Sequence, residues 1–278
     1  MRNKRIFASI MLLSATLMWG LSYSVQSLSS DKLGSFTIVF FKGLGGVFLL
    51  PLVLLNKNKI DQKTLVGGFM MGLMAFIGCV LQQIGLELST VSKASFITSL
   101  YIVIVPVLEM FSGKKIKKKM WLSIGIAILG LYFLCFSGST SFSIGDLLLL
   151  MGSLFFAIQI MVIDKYSADC DAINLTFVSQ LTVSVLSLIV MLVYEKPLLS
   201  DLTSAIPAIA YLVFLSGMIA QTIQIVFQKD VGPSLASLLM SFESVFGAIG
   251  GWLILSQVLS LREIAGCILV FIAILIAE

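Results

Sequence analysis

The chain contains no histidine. That absence removes Ser-His-Asp and Cys-His nucleophilic machinery, HExxH zinc sites and imidazole proton relays together. Cysteine is sparse: Cys79, Cys135, Cys170 and Cys267 are scattered, with neither CxxC nor zinc-ligand spacing. Three of them lie inside apolar runs, so they read as small packing residues and no metal is expected. No Walker A or GxGxxG stretch occurs, which leaves no nucleotide-driven engine and no expected cofactor. Charge is scarce too, at 12% of residues against about 25% in a soluble domain. The net charge of +4 is small and no basic stripe with interleaved aromatics is present, so nucleic acid is set aside as a partner.

What fills the chain is hydrocarbon. Hydrophobic residues make up 59% of it, against about 45–50% in soluble domains, and the mean hydropathy is +1.09. Such a chain belongs in a lipid bilayer. A membrane helix needs roughly 20 mostly apolar residues. Ten segments qualify: 6–27, 35–55, 65–86, 91–111, 120–137, 144–163, 173–194, 205–227, 232–255 and 261–277. The first has the basic start and apolar stretch of a signal peptide, but it lacks a clear A-x-A site and many comparable segments follow. It reads as a retained first membrane helix.

Basic residues set the orientation. With the N-terminus in the cytoplasm, that side receives Arg2, Lys4, Arg5, Lys57, Lys59, Lys63, the run Lys114, Lys115, Lys117, Lys118 and Lys119, then Lys165 and Lys229. The outer side receives only Lys32, Lys93, Lys196 and Arg262, and Lys42 lies inside a span. An even number of spans returns the C-terminus to the cytoplasm, so both termini are expected there, in a multi-pass protein of the cell membrane. The lysine run reads as a topology anchor, with an anionic-lipid patch as the alternative.

The halves resemble each other. "VSKASFITSLYIV" at 91–103 and "PSLASLLMSFESV" at 233–245 align at an offset of 142, pairing Ala94-Ser95 with Ala236-Ser237, Ser99 with Ser241 and Val103 with Val245. The same offset brings Gln82 onto Gln224, and it places Tyr101 opposite Glu243. Five spans per half is an odd number, so the halves must cross the membrane in opposite senses. The expected architecture is all-α, with ten transmembrane helices as two inverted five-helix repeats, 1–138 and 139–278, around a central cavity. Inverted repeats of this kind build secondary transporters, with the substrate site near the midplane between halves.

The residues quoted above, together with "LQQIGLELSTVSKASFITSLYIVIVP" at 81–106 and "ASLLMSFESVFGAIGGWLILSQVLSLREIAGCILV" at 236–270, resemble the drug/metabolite transporter superfamily, and within it the ten-helix EamA-type members. The resemblance covers essentially the whole chain and implies an efflux or metabolite permease built of two inverted five-helix repeats. Three positions depart from the family pattern. Ser244 stands where Pro commonly follows the Glu, Gln257 where a Glu is common, and Lys42 where an Arg is usual.

Polar groups at depth carry the functional reading. Glu243 is the lone charge between Val231 and Leu255, where a charged side chain costs roughly 2.5–3.5 kcal/mol on insertion scales. It shares a helical face with Ala236, Met240, Gly247 and Gly250, and Gly247 with Gly251 forms a close-packing GxxxG. Glu243 either binds a substrate amine or carries a proton, or it is a structural carboxyl between helices. Lys42 either faces the cavity, pairing with Glu243 or a substrate carboxylate, or snorkels outward, as Lys93 does nearer its span end. Gln82, Gln83, Gln159, Gln180, Gln221 and Gln224 should face inward, because lipid offers them no partners. Trp19 and Tyr23 are cavity walls or an interfacial belt, Tyr101 is too deep for a belt, and Pro106 is expected to kink its span. Glu109 and Asp146 lie near span ends and carry little weight.

The candidate substrate-binding set is therefore Glu243, Lys42, Tyr101, Gln82, Gln224, Trp19 and Tyr23. The expected function is a secondary transporter, an exporter of small metabolites such as amino acids or related zwitterions, working by alternating access, with protons as the candidate coupling ion. A flippase for an amphipathic or lipid-linked substrate is the alternative. An intramembrane enzyme is disfavoured, because a lone deep acid supplies no catalytic cluster.

Overall fold

The structure is a computed structural model that describes residues 2–29, 32–89, 91–135, 143–256 and 258–277. Gln257 and the side chains of Lys93 and Cys135 lie outside the described residues. Among the described residues every regular element is helical. In chain order we label them α1 (Arg2–Ser29), α2 (Ser35–Leu55), α3 (Gln62–Glu87), α4 (in two pieces, Val91–Thr98 and Tyr101–Phe111), α5 (Lys118–Cys135), α6 (Ile144–Ser167), α7 (Ala172–Tyr194), α8 (Ile206–Val231), α9 (Pro233–Leu255) and α10 (Leu261–Ala277). A short turn of helix, Leu199–Ser204, precedes α8.

Eight of these, all but α5 and α10, are long and apolar enough to cross a membrane. The bounds expected from sequence hold for α2, α4 and α10 and move by up to four residues elsewhere, as where α6 runs on to Ser167 and α8 to Val231. Polar N-caps explain several starts. Asp61 accepts from Thr64 N at 2.8 Å before α3, Asp171 from Ile173 N and Asn174 N before α7, and Ser143 forms a capping box with Asp146 before α6. These carboxylates also sit at the positive end of a helix dipole. The hydrogen bond from Thr64 holds the exposed Asp61 carboxyl below its ordinary value.

Four helices depart from α geometry, and each departure is beside the centre. α2 tightens to 3₁₀ turns over Gly45–Leu49, and α8 widens to π turns over Tyr211–Ile219. π segments often accompany function, because they free carbonyls for other partners. α4 and α9 both tighten at corresponding places. Ile102 N bonds Ser99 O at 3.1 Å and Ser244 N bonds Ser241 O at 3.2 Å, both three residues apart, and the two sites differ by the 142 of the sequence offset. α4 continues through Pro106 to Phe111.

Packing relies on small residues where helices cross, as expected where burial in lipid gives no hydrophobic drive. α10 lies on α5 through Gly266 and Gly130: a Cβ on Gly266 would stand 2.6 Å from Gly130 O, and one on Gly130 2.8 Å from Gly266 O. α1 meets α9 at Gly20, where a Cβ would stand 2.6 Å from Glu243 O. That close approach presses the backbone of Glu243 against α1. The largest core cluster joins Tyr101, Ile102 and Val105 of α4 to Leu238, Leu239 and Phe242 of α9.

The end of the bundle that carries the N-terminus is tied across the two halves of the chain. Lys4 pairs with Asp230 at 2.9 Å, Lys63 with Asp169 at 2.6 Å and Lys114 with Asp164 at 3.0 Å. Glu109, 5% exposed, accepts from Ser234 N at 3.0 Å and from the Ser234 hydroxyl, and so caps the start of α9 from α4. Lys114 also reaches Glu109 at 3.3 Å. Burial pulls the Lys114 ammonium down, but its hydrogen bond to Asp164 and the charges of Asp164 and Glu109 outweigh this and leave it above the ordinary lysine value. Asn174 Nδ2 donates to Asn58 O at 2.7 Å in the same region. Glu109, expected to matter little, is thus a structural clamp.

Candidate functional site

A cavity of about 100 Å³ lies inside the bundle, and every one of the eight long apolar helices contributes to its wall, whereas among the described residues α5 and α10 contribute nothing. One water occupies about 30 Å³ of liquid, so the space suits a few waters or a small solute. The wall is mixed. Phe156, Ile160, Val183 and Met240 supply apolar surface, and five glutamine amides, with Lys42 and Glu243, supply the polar groups.

Helical spacing assembles it. On α3, Ala75, Cys79 and Gln82 follow steps of four and three and form one stripe. On α8, Gln221 and Gln224 continue the face begun by Gly217. On α4 and α9 the lining residues flank the tightened turns: Thr98 and Tyr101 on one, Met240 and Glu243 on the other.

Of the seven candidates, six line this cavity: Glu243, Lys42, Tyr101, Gln82, Gln224 and Trp19. The belt alternative for Trp19 fails, because its Nε1 donates to Ser216 O at 2.9 Å inside the bundle. The acceptor is a carbonyl of the π segment. Snorkelling fails likewise for Lys42, whose side chain meets the cavity. Its backbone is pinned where α2 begins to tighten: Gln180 Nε2 donates to Lys42 O at 3.3 Å and to Gly217 O, in the π segment, at 2.6 Å. Tyr23, the seventh, stands one layer back. Gln82 Nε2 donates to its hydroxyl at 3.1 Å, and that hydroxyl lies beside the Glu243 carboxyl.

Glu243 and Lys42 are both half-buried although deep in the bundle, so what exposure they keep is to the cavity. They feel each other's charge, yet among the described residues they are not in direct ion-pair contact. An acidic and a basic group thus stand apart across one small chamber, each with room for a ligand. Cys79, free and half-buried, lines the same cavity. Among the described residues no group of His, Cys, Asp and Glu side chains could hold a metal ion.

Sequence reasoning missed Gln228 and the partners of Ser244, and neither residue is part of the cavity wall. Gln228 is fully buried behind the cavity and extends a chain of amides. Gln221 donates to Gln224 at 3.3 Å, Gln224 to Gln228 at 3.2 Å, and Gln228 to Ile160 O at 2.7 Å. The spacing of three and four along one helix was the available signal. Ser244 accepts from Ser95 at 2.7 Å and lies 2.9 Å from the Ser99 hydroxyl, so the departure from proline there makes a hydroxyl cluster that joins α9 to α4.

A bundle of membrane-crossing helices around an internal chamber is the architecture of a multi-pass membrane protein. The family model for the EamA-like transporter family matches residues 6–136 and again residues 143–277, and the chain belongs to that family. A relative from Archaeoglobus fulgidus, described as an uncharacterized transporter, is 29% identical over 279 residues, covering 99% of this chain and 87% of its own. A solved crystal structure superposes with a TM-score of 0.80 over 97% of each chain at 15% identity, a likeness of fold alone.

Proposed function

We propose that the chain is a secondary transporter that exports small zwitterionic metabolites, amino acids among them, by alternating access. Its two halves, 1–138 and 139–278, act as inverted five-helix repeats in the cell membrane, with α5 and α10 as the fifth and tenth spans and both termini cytoplasmic. The observation that carries this reading is that Lys42 and Glu243 line one chamber and that, among the described residues, neither is in an ion pair. A solute with a carboxylate at Lys42 and an ammonium at Glu243 gives each a partner of opposite charge, and a charge held inside the bundle without one is costly enough to select for it.

The inverted repeat is supported by the matched tight turns of α4 and α9 and by Gln82 and Gln224, which both reach the cavity. Alternating access is supported by the ion pairs that join the halves at the lysine-rich end, which would have to open and reform as that end is exposed. Without a nucleotide site the cycle runs on solute or ion gradients. Glu243, touched by Tyr23, is the group that would exchange a coupling proton.

The test is competition in proteoliposomes. Labelled alanine uptake into vesicles is challenged with excess alanine, with its amine analogue lacking the carboxylate and with its acid analogue lacking the ammonium. The reading expects alanine to compete at least tenfold better than either analogue. Equal competition by one analogue would remove the zwitterion from the account.

A further inference from the structure

Two helices of the bundle begin without a cap of their own. α2 starts after Gly34 and α9 after Gly232, and a glycine has no side chain to offer the free N–H groups of a first turn. In both cases a carboxylate from the other half of the chain takes that place. Glu195, just past α7, accepts from Phe36 N at 2.7 Å, from Thr37 N at 2.8 Å and from the Thr37 hydroxyl at 2.6 Å. Glu109, in the last turn of α4, accepts from Ser234 N at 3.0 Å and from the Ser234 hydroxyl. The approach of Glu195 depends on Gly34, where a Cβ would stand 2.6 Å from Oε2.

The two contacts lie at opposite ends. Glu109 is at the end that carries the N-terminus, whereas α1 crosses the bundle once before α2 begins, so Glu195 ties the far end. Each capped helix then runs inward as a short arm to a charged cavity residue and a departure from α geometry. In α2 the arm Ser35–Leu44 carries Lys42 and gives way to the 3₁₀ turns of Gly45–Leu49. In α9 the arm Pro233–Met240 ends at the tight turn between Ser241 and Ser244, which holds Glu243. Mid-helix 3₁₀ turns have poorer hydrogen-bond geometry and often mark hinges, and the Gly45-Gly46 step weakens the helix further.

We propose that these arms are the two gates of the chamber: Glu195 latches the α2 arm at the end away from the N-terminus, and Glu109 latches the α9 arm at the N-terminal end. This rests on the transport reading above and deepens it. Lys42 and Glu243 stand at the inner ends of the arms, so a solute that draws on either charge pulls on a latched helix. Both latches are formed here, and release at one end requires that one opens while the other holds. Hinges of this kind absorb the backbone change of a closure in a few residues.

Cys79 lines the chamber and reads its opening without any transport. In a chain whose other cysteines are replaced by alanine, a membrane-impermeant thiol reagent is applied to right-side-out and to inside-out vesicles, and the rate of Cys79 labelling is measured at each face. Glu195→Ala raises the rate at one face by at least about tenfold, what the loss of one hydrogen bond to a charged acceptor supplies, and leaves the other face unchanged. Thr37→Val, which loses one of the three bonds, raises it at the same face by a smaller factor and carries the test alone should Glu195→Ala fail to fold. Glu109→Gln raises the rate at the opposite face only. Glu263→Ala changes neither, because that carboxylate, at the Glu195 end, caps only the start of its own helix at Ser260.

Equal gains at both faces would make Glu195 a general brace, and an unmoved rate in Glu195→Ala and Thr37→Val would mean that it holds no gate. Either result overturns the proposal. The labelling decides this whether or not an amino acid crosses, which the competition assay decides separately.

Discussion

Replacing Glu109 with alanine removes a clamp between the two halves of the chain. The carboxylate is 5% exposed and receives the Ser234 backbone N–H at 3.0 Å, the Ser234 hydroxyl and the Lys114 ammonium at 3.3 Å. Two hydrogen bonds to a charged acceptor contribute about 1.5–3 kcal/mol each. Breaking a buried ion pair from one side costs about 3–5 kcal/mol, so the two routes agree on about 4 kcal/mol. Lys114 differs, because its side chain is 50% exposed and solvent screens both of its pairs. Such pairs are worth about 0–1 kcal/mol each. In thermal unfolding of the detergent-solubilised protein, Glu109→Ala should lower the midpoint by about 10 °C, from about 2–4 °C per kcal/mol for a chain of this order. Lys114→Ala should lower it by less, about 0–8 °C, and Glu109→Gln, which keeps an acceptor for Ser234, should fall between. Equal shifts in Glu109→Ala and Lys114→Ala would refute the ranking by burial.

Ser244→Ala leaves the Ser95 and Ser99 hydroxyls without their shared partner and should destabilise by about 1–3 kcal/mol, as read by the same unfolding assay. Ser244→Pro should cost more, because it also removes the N–H that bonds Ser241 O. Gly266→Leu forces a side chain against the Gly130 carbonyl and should cost about 1–3 kcal/mol by overpacking, with loss of cross-linking between cysteines placed on α5 and α10. The contribution of Lys114 has a definite sign with pH. Its folded value is raised, so the contribution is complete below the ordinary 10.5 and is lost as pH climbs through the higher folded value. The wild type should therefore lose up to about 1 kcal/mol above that pH, and Lys114→Met should show no such step.

Much of the site was legible because a bilayer leaves polar groups few choices. Gln82, Gln224, Lys42 and Glu243 had to face inward or pair, and the repeat offset linked the two glutamines before any contact was known. Tyr23 was named with Trp19 as a cavity wall or an interfacial belt, but which of them meets the cavity depends on how closely α1 approaches α9 at Gly20, a three-dimensional fact. Glu195 was invisible for a different reason. A carboxylate just past an apolar run reads as part of an ordinary polar link, and that it caps a helix start 158 and 159 residues earlier does not show in composition or periodicity. The 3₁₀ turns of α2 fall on the Gly-Gly step at 45–46, a signal of weak helix that was readable in principle. The π turns of α8 arise from packing and carry no comparable mark.

The central claim is that the chamber between the halves is the transport site and Glu243 its working acid. The most direct measurement is flux of labelled amino acids through proteoliposomes, with and without a pH gradient, for wild type and Glu243→Gln matched in unfolding midpoint. The account predicts flux in the wild type that responds to the gradient, and a fall of at least tenfold in the variant. Equal flux in both proteins would make Glu243 a structural carboxyl and contradict the account.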